Sequence, residues 1–557
     1  MLAGHAAAMP RGAARERTIA VRDSMEGAHS MDDEARLRQL GYKQELRREL
    51  NLLKNFAVSF GLLSMLTGLG GFYYFGFSYG GPVIPVWGWP LVVFFTFTIA
   101  LSMAEICSAL PTSGGVYFWS GVLAGPYGPL FSWISGWLQM LGQVGMTAGV
   151  EYTLVRFLEQ MIQVQNPDFA LTGSQLFGIY CGFIIFHASI NCISTKLLGF
   201  LSMASVCWHV VGTLTIVIGL PIIAPTRQSA NWVFTEFIPP NPAPAPEGVG
   251  IGNDFYVFTV GLLLCQWAMV GYDTSAHVAE ETKNAAFAGP VGLLMAITGS
   301  FICGWMFLIS LTFSIQDVAN TQLGGTFAIF KDCFTGRYGS PDRALSFMVI
   351  IFVAANFCGT FCITANSRLL YAFARDNGVF GSRYWKQVNS RTGTPVNAVI
   401  FMSLGAIALG TPVIGSTVAF NAIASIGIIG MILSYLVPIF LRVTLARTWF
   451  KKGPVHMGRF SFFLVILCLP TAYPITKDNL NYAPVAVGSL LILSLSWWII
   501  SARKWFKGPV RNVDTGNKTS TLAEAYMQGE LDDNDSDGAL ANEKGSTGGG
   551  KESVEGH

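Results

Sequence analysis

The sequence predicts an all-α polytopic membrane protein, and three observations lead to that fold class. Apolar runs recur through the middle of the chain, most of them near the roughly 20 residues a helix needs to cross a bilayer. Only 12% of the 557 residues are charged, about half of the roughly 25% usual in soluble proteins. The charges also crowd the first and last stretches of about 55 residues each, leaving the middle nearly bare. The formal net charge of +2 comes with no basic patch large enough for a phosphate backbone, so nucleic acid is not an expected partner. The bilayer is.

The N-terminal region, residues 1–54, is a hydrophilic tail. Its opening "MLAGHAAAMPRGAARERT" is Arg-rich, slightly like a transit peptide, but has no apolar core and so is not a secretory signal. Residues 32–53, "DDEARLRQLGYKQELRRELNLL", set Leu37, Leu40, Leu50 and Leu53 among dense charges. They read as a helix along the membrane surface. A membrane domain follows over 55–501, and the tail 502–557, rich in Gly, Asp, Ser and Asn, reads as disordered.

About twelve spans are expected, near 56–80, 87–110, 129–158, 174–194, 198–223, 255–278, 289–315, 344–367, 396–413, 416–441, 460–475 and 484–501. Alternating from the inside, the cytoplasmic loops receive Lys196, Lys283, Arg368, Arg375, Arg383, Lys386, Arg391, Arg442, Arg447, Lys451, Lys452 and Arg459. The short outer loops after the first and ninth spans carry no Lys or Arg; the longer outer loop 316–343 holds Lys331, Arg337 and Arg343, but long loops obey the rule weakly. Both termini are therefore expected in the cytoplasm. The eleventh run, "FSFFLVILCLPTAYPI", is short and broken by Pro470 and Pro474. Most of the ten cysteines lie in or beside apolar runs, where Cys acts as a small hydrophobe. The Cys358–Cys362 spacing matches no metal pattern, and no cofactor is expected.

Two spans are interrupted. The first holds "LTGLGGFYYFG", with Gly68, Gly70, Gly71 and Gly76; the sixth holds "MVGYDTSAH". Glycine costs about 1 kcal/mol inside a helix. Such clusters mean either close packing of small residues or unwound backbone. Interruption at matching positions of two repeats points to a transporter's binding site.

Six segments in order resemble one family: "RLRQLGYKQELRREL", "FSYGGPV", "MAEICSALPTSGGVYFW", "GYDTSAHVAEETKNAAFAGP", "NSRLLYAFARDNG" and "LPTAYPITKDNLNYAPVAVG". Together they resemble the amino acid–polyamine–organocation transporter superfamily, in its amino acid/choline branch, which includes GABA permeases. The likeness runs from about Leu37 to Val487. It implies a five-plus-five inverted repeat with helices one and six broken at mid-membrane, core repeats near 55–224 and 255–442, and usually proton-driven transport of amino acids or related amines. Relatives sit in the plasma membrane or in vacuolar and other internal membranes; the plasma membrane is the expectation here. The chain departs from relatives in lacking a dozen or more residues between Arg459 and Phe462.

The resemblance also marks residues. Backbone N–H groups around Thr67, Gly68, Leu69, Gly70 and Gly71 would face a substrate carboxylate at a half-helix N-terminus, and Gly271 would allow the matching break. Trp267 matches an aromatic that closes over substrate in relatives; packing against neighbouring helices is the other reading. Tyr272 stands beside Asp273. Asp273, two residues past the break, is either a proton acceptor that can neutralise a substrate amine or a cap on the next half-helix. His209 lies where several proton-coupled relatives carry a lysine in place of a sodium ion; it serves that role or is a neutral histidine bonded between helices. Glu151 either faces an entry vestibule, as a further proton-coupling group, or pairs with Arg156. Glu105, Glu281 and Arg368 read as gate or anchor residues near cytoplasmic ends. His277, Glu280, Glu281 and Lys283 read as lying beyond the site, with Glu280 and Lys283 an ordinary helix-surface pair.

The leading function is a secondary active, proton-coupled permease for GABA or related amino acids. A choline or polyamine carrier of the same fold is the alternative, and a non-transporting nutrient sensor is the alternative from another class. No H-E-x-x-H motif supports an enzyme, and the seven histidines are scattered.

Overall fold

The first expected span is two helices rather than one, and its break sets the layout of the molecule. The computed structural model describes residues 33–238, 253–414, 418–456 and 483–509. Helix α1 covers 33–39 and ends where Gly41 takes φ +87°. The expected surface helix over 32–53 is thus a correction: residues 43–49 are not helical, and Leu50 instead makes a short parallel bridge to Thr282. Pairing with the backbone after the sixth span satisfies Leu50 N–H and C=O, which a surface helix would have done within itself.

Within the compact unit Glu45–Pro509, α2 (Leu52–Leu63) and α3 (Met65–Ser78) form the first span. Helices α4 (Trp89–Ala109), α6 (Gly128–Ile162), α7 (Gly173–Ile193) and α8 (Thr195–Ile223) follow, with α5 (Gly115–Leu123) between α4 and α6. The short α9 (Ala230–Thr235) precedes the sixth span, which is divided into α10 (Asn253–Gly261), α11 (Leu263–Trp267) and α12 (Thr274–His277). Then come α13 (Ala285–Phe313), α14 (Val318–Tyr338), α15 (Leu345–Arg375), α16 (Ser382–Trp385), α17 (Val396–Gly410), α18 (Val418–Val443) and α19 (Ala483–Ile500). Eleven of the twelve expected spans thus coincide with helices; the eleventh falls outside the described residues. The long loop 316–343 is mostly helix α14, started by Asp317, whose carboxylate accepts from the N–H of Ala319 and Asn320.

Among the described residues, seven helical stretches are long and apolar enough to cross a membrane. Their faces divide as a bilayer requires. Ile185, Phe186, Phe200, Val211, Ile218 and Ile222 on α7 and α8 are exposed, while polar residues of the same helices, His187, Asn191, Ser205 and His209, point inward and are buried. Lipid is the only solvent in which that inversion is favourable. Helix α13 packs on α2 and α4, and α15 packs on α6, α2 and α7. The cysteines expected to be packing residues are free where described: Cys265, Cys358 and Cys362 are buried, Cys181, Cys192 and Cys303 half-buried, and Cys207 exposed; Cys468 lies outside the described residues.

Candidate substrate site at the two helix breaks

The break in the first span falls at Ser64, not in the glycine run. Ser64 adopts a left-handed conformation with φ 31° and ψ 69°, a strained place for a residue with a Cβ. Four bonds hold it. Its N–H donates to Phe60 O at 3.1 Å; its Oγ contacts Thr67 Oγ1 at 2.6 Å, His209 Nε2 at 2.8 Å and Ala354 O at 3.5 Å. Thr67, Gly68, Leu69, Gly70 and Gly71 are helical and belong to the first two turns of α3. Their small size serves packing: a Cβ on Gly68 would sit 2.9 Å from Ala268 Cα. The N–H groups that the start of α3 leaves without an intrahelical acceptor therefore include Met65 and Leu66, one turn earlier than expected.

The sixth span breaks where expected. Gly271 has φ +98°, and a Cβ there would lie 2.3 Å from Leu62 Cδ2 on α2. Only glycine allows both that backbone angle and that approach. Trp267 ends α11, 4% exposed; its ring lies 5.1 Å from Phe72 of α3 and over Gly149 of α6. It joins the two broken spans to a third helix.

Asp273 is wholly buried and does not cap α12. Its carboxylate instead takes three contacts from three directions. Tyr435 of α18 donates to Oδ1 at 2.7 Å, Gln139 Nε2 of α6 donates to Oδ2 at 2.6 Å, and His277 Nε2 lies 3.0 Å from Oδ2. His277, expected beyond the site, is thus in direct contact with its central carboxylate. Its Nδ1 faces Ser113 O at 3.2 Å; a carbonyl only accepts, so Nδ1 carries hydrogen. Nε2 then needs a second proton to bond Asp273, and without it can accept from Gln139 Nε2 at 3.0 Å. The presence of one proton switches this contact. Tyr272 is also buried, its ring 5.2 Å from that of Tyr435, and its carbonyl accepts from Ser59 Oγ at 3.4 Å.

His209 is buried on α8. Nδ1 meets Ser205 O at 2.7 Å, which makes Nδ1 the donor and leaves Nε2 to accept from the Ser64 hydroxyl. The residue is bonded between helices, and its partner is the break itself.

The remaining expected residues lie apart. Glu151 neither faces a vestibule nor pairs with Arg156. It is fully buried, with Oε1 2.8 Å from His187 Nδ1 on α7, while Arg156 pairs with Glu159. Five residues separate Glu151 from Arg156, which puts them on different sides of α6. At the far end of the sixth span, Glu281 accepts from Arg368 Nε at 2.8 Å. Glu280 takes Arg375 Nη1 and Nη2 at 2.8 and 2.9 Å, and Tyr371 donates to Glu45 at 2.7 Å. Glu280 is 0% exposed and Thr282 is extended, so the expected surface pair with Lys283 is corrected to a buried one with α15. Glu105 lies in a different cluster, 3.6 Å from Arg442. Among the described residues no group of His, Cys, Asp or Glu could hold a metal ion.

A bundle of apolar helices with two broken spans, packed together where Leu62 approaches Gly271, has the architecture of a multi-pass integral membrane transporter. The amino acid permease family model matches residues 50–491, and the chain belongs to that family. Relatives include the amino-acid permease BAT1 homolog of Oryza sativa subsp. japonica, 40% identical over 88% of this chain and 98% of that protein. Amino-acid permease BAT1 of Arabidopsis thaliana is 39% identical over 86% and 96%. The GABA-specific permease of Saccharomyces cerevisiae is 26% identical over 89% of each.

Proposed function

We propose that this permease is a proton-coupled carrier of GABA and related amino acids that works by alternating access. The observation that carries the proposal is the Ser64–His209 bond, a titratable side chain tied to the break in the first span. In the neutral state Ser64 donates to His209. A proton on Nε2 reverses that bond, and the Ser64 hydroxyl must then donate elsewhere; Ala354 O on α15 is within 3.5 Å. Protonation would thereby tie the first span to α15, a bond that one conformation makes and the other lacks, which is what coupling requires.

The substrate carboxylate would meet the N–H groups of Met65 and Leu66 and the positive end of α3. Asp273 would hold the amine, and Trp267 would close over it. The pairs Glu281–Arg368 and Glu280–Arg375 join the end of the sixth span to α15 and would form the gate on the cytoplasmic side, the side on which the Lys and Arg of the loops support both termini. The plasma membrane is the expected location. A choline or polyamine carrier is the second reading, favoured by Tyr272 and Tyr435 packed beside Asp273, the start of an aromatic site for a cation.

The test is uptake of a panel of GABA, neutral amino acids, choline and polyamines by the reconstituted protein under an imposed pH gradient. Accumulation of GABA or a neutral amino acid that collapses with the gradient is expected. Uptake indifferent to the gradient overturns proton coupling; choline or polyamine alone selects the second reading; no flux of any of them selects a sensor.

A further inference from the structure

Four residues of α6, Gln139, Gln143, Thr147 and Glu151, recur every fourth position and so share one stripe of that helix. All four are 0% exposed. At one end of the stripe Gln139 meets the Asp273–His277 pair; at the other, Glu151 meets His187. The stripe therefore runs about 18 Å between two buried carboxylate–histidine pairs. Between them, Asn366 of α15 donates to Thr147 Oγ1 at 2.5 Å.

This stripe gathers unsatisfied polar atoms. Gln139 Oε1, both side-chain polar atoms of Gln143, Asn366 Oδ1, Glu151 Oε2 and His187 Nε2 are buried without a hydrogen-bond partner among the described residues. A buried polar atom left unpaired costs about 1–3 kcal/mol, so six along one stripe need a common explanation. Neighbouring titratable groups do not supply it. Tyr180 gives its hydroxyl hydrogen to Ala406 O, Cys358 points to Leu62 O, and Tyr435 is committed to Asp273. Cys362, a thiol on α15, is only a weak donor. Beyond His277 the next charges, Glu280 and Arg375, satisfy each other. Successive stripe residues stand about 6 Å apart along the axis, a gap that one water bridges with a hydrogen bond to each side.

We propose that α6 carries a file of buried waters connecting Glu151–His187 to Asp273–His277, and that this file conducts a second transported proton to the Asp273–His277 pair, distinct from the one that switches the Ser64–His209 bond. A proton taken up at the Glu151–His187 pair passes from water to water along Gln143 and is delivered to His277 Nε2 facing Asp273. Each water releases one proton as it accepts another, and the first pair returns to its starting state, so one proton enters and one arrives. The amides of Gln139 and Gln143 orient the waters and do not titrate. The inference deepens the proton-coupled reading and rests on it.

Two measurements test it. In the first, X-ray-generated hydroxyl radicals label the reconstituted protein, since radicals formed from bound water modify side chains that bulk solvent cannot reach. His187 and His277 should both be oxidised despite full burial; either one remaining unmodified overturns the file. The second compares wild type with Gln143→Leu in vesicles holding a pH-sensitive dye. Substrate counterflow, which needs no net proton movement, checks that the variant is folded. Protons moved per substrate should fall by about half in a variant still active in counterflow. An active Gln143→Leu protein with the wild-type ratio overturns the pathway while leaving proton coupling intact; wild type that accumulates substrate without moving protons overturns both. An inactive variant leaves the labelling result to decide.

Discussion

His277 Nε2 lies 3.0 Å from Asp273 Oδ2, with both residues completely buried. The two are four positions apart in the sixth span, one turn beyond its break, and they bring the basic and acidic groups of the site into a single contact. A buried carboxylate needs such partners, because desolvation without them would cost several kcal/mol.

That contact gives the first prediction. Asp273→Asn keeps the side chain's shape but removes the charge that faces His277 and turns one of its two acceptor oxygens into a donor. GABA uptake should drop at least tenfold with membrane expression unchanged, and what remains should no longer respond to a pH gradient. Uptake with wild-type pH dependence would show that Asp273 is structural.

Ser64→Ala removes the hydroxyl that His209 accepts from. One hydrogen bond contributes about 0.5–1.5 kcal/mol, so the initial rate of uptake should fall by roughly twofold to tenfold. His209→Gln should have a larger effect on coupling than on rate: substrate counterflow should persist while accumulation against a gradient is lost. Measuring both in one vesicle preparation separates the outcomes.

Gly271→Ala is expected to inactivate. The new Cβ meets Leu62 and the backbone sits at φ +98°, together costing on the order of 2–5 kcal/mol from overpacking and left-handed strain. Gly271→Ala with Leu62→Ala should relieve only the clash. A thermal-shift measurement in detergent should therefore place the double variant between wild type and Gly271→Ala.

The gate makes the fourth prediction. Removing one partner of a buried ion pair typically costs about 3–5 kcal/mol, so Glu281→Gln should open the end of the sixth span, raising hydrogen exchange of residues 279–283. The exchanged pair Glu281→Arg with Arg368→Glu should recover part of the protection. No change in exchange for Glu281→Gln would mean the pair does not hold that end closed.

Much of this was legible in the sequence, and the misses have physical reasons. The glycine run drew attention to 67–71, yet the break sits at Ser64, a residue with no mark of its own among apolar neighbours. Its hydroxyl bonds to His209, 145 positions away. The Asp273–His277 spacing of four was a readable sign of contact, but counting rise along a straight helix carried His277 away from the site. Glu151–His187 joins two helices and left no local trace.

The sequence by itself determined that the chain crosses a membrane many times, that the sixth span breaks at Gly271, and that Asp273 and His209 belong to otherwise apolar runs. Those follow from hydropathy and backbone freedom, which are properties of short segments. Which partner each buried polar group found was decided only by tertiary structure. In a medium without water every such group must bond to whatever helix packs against it, and that neighbour is chosen by the fold as a whole.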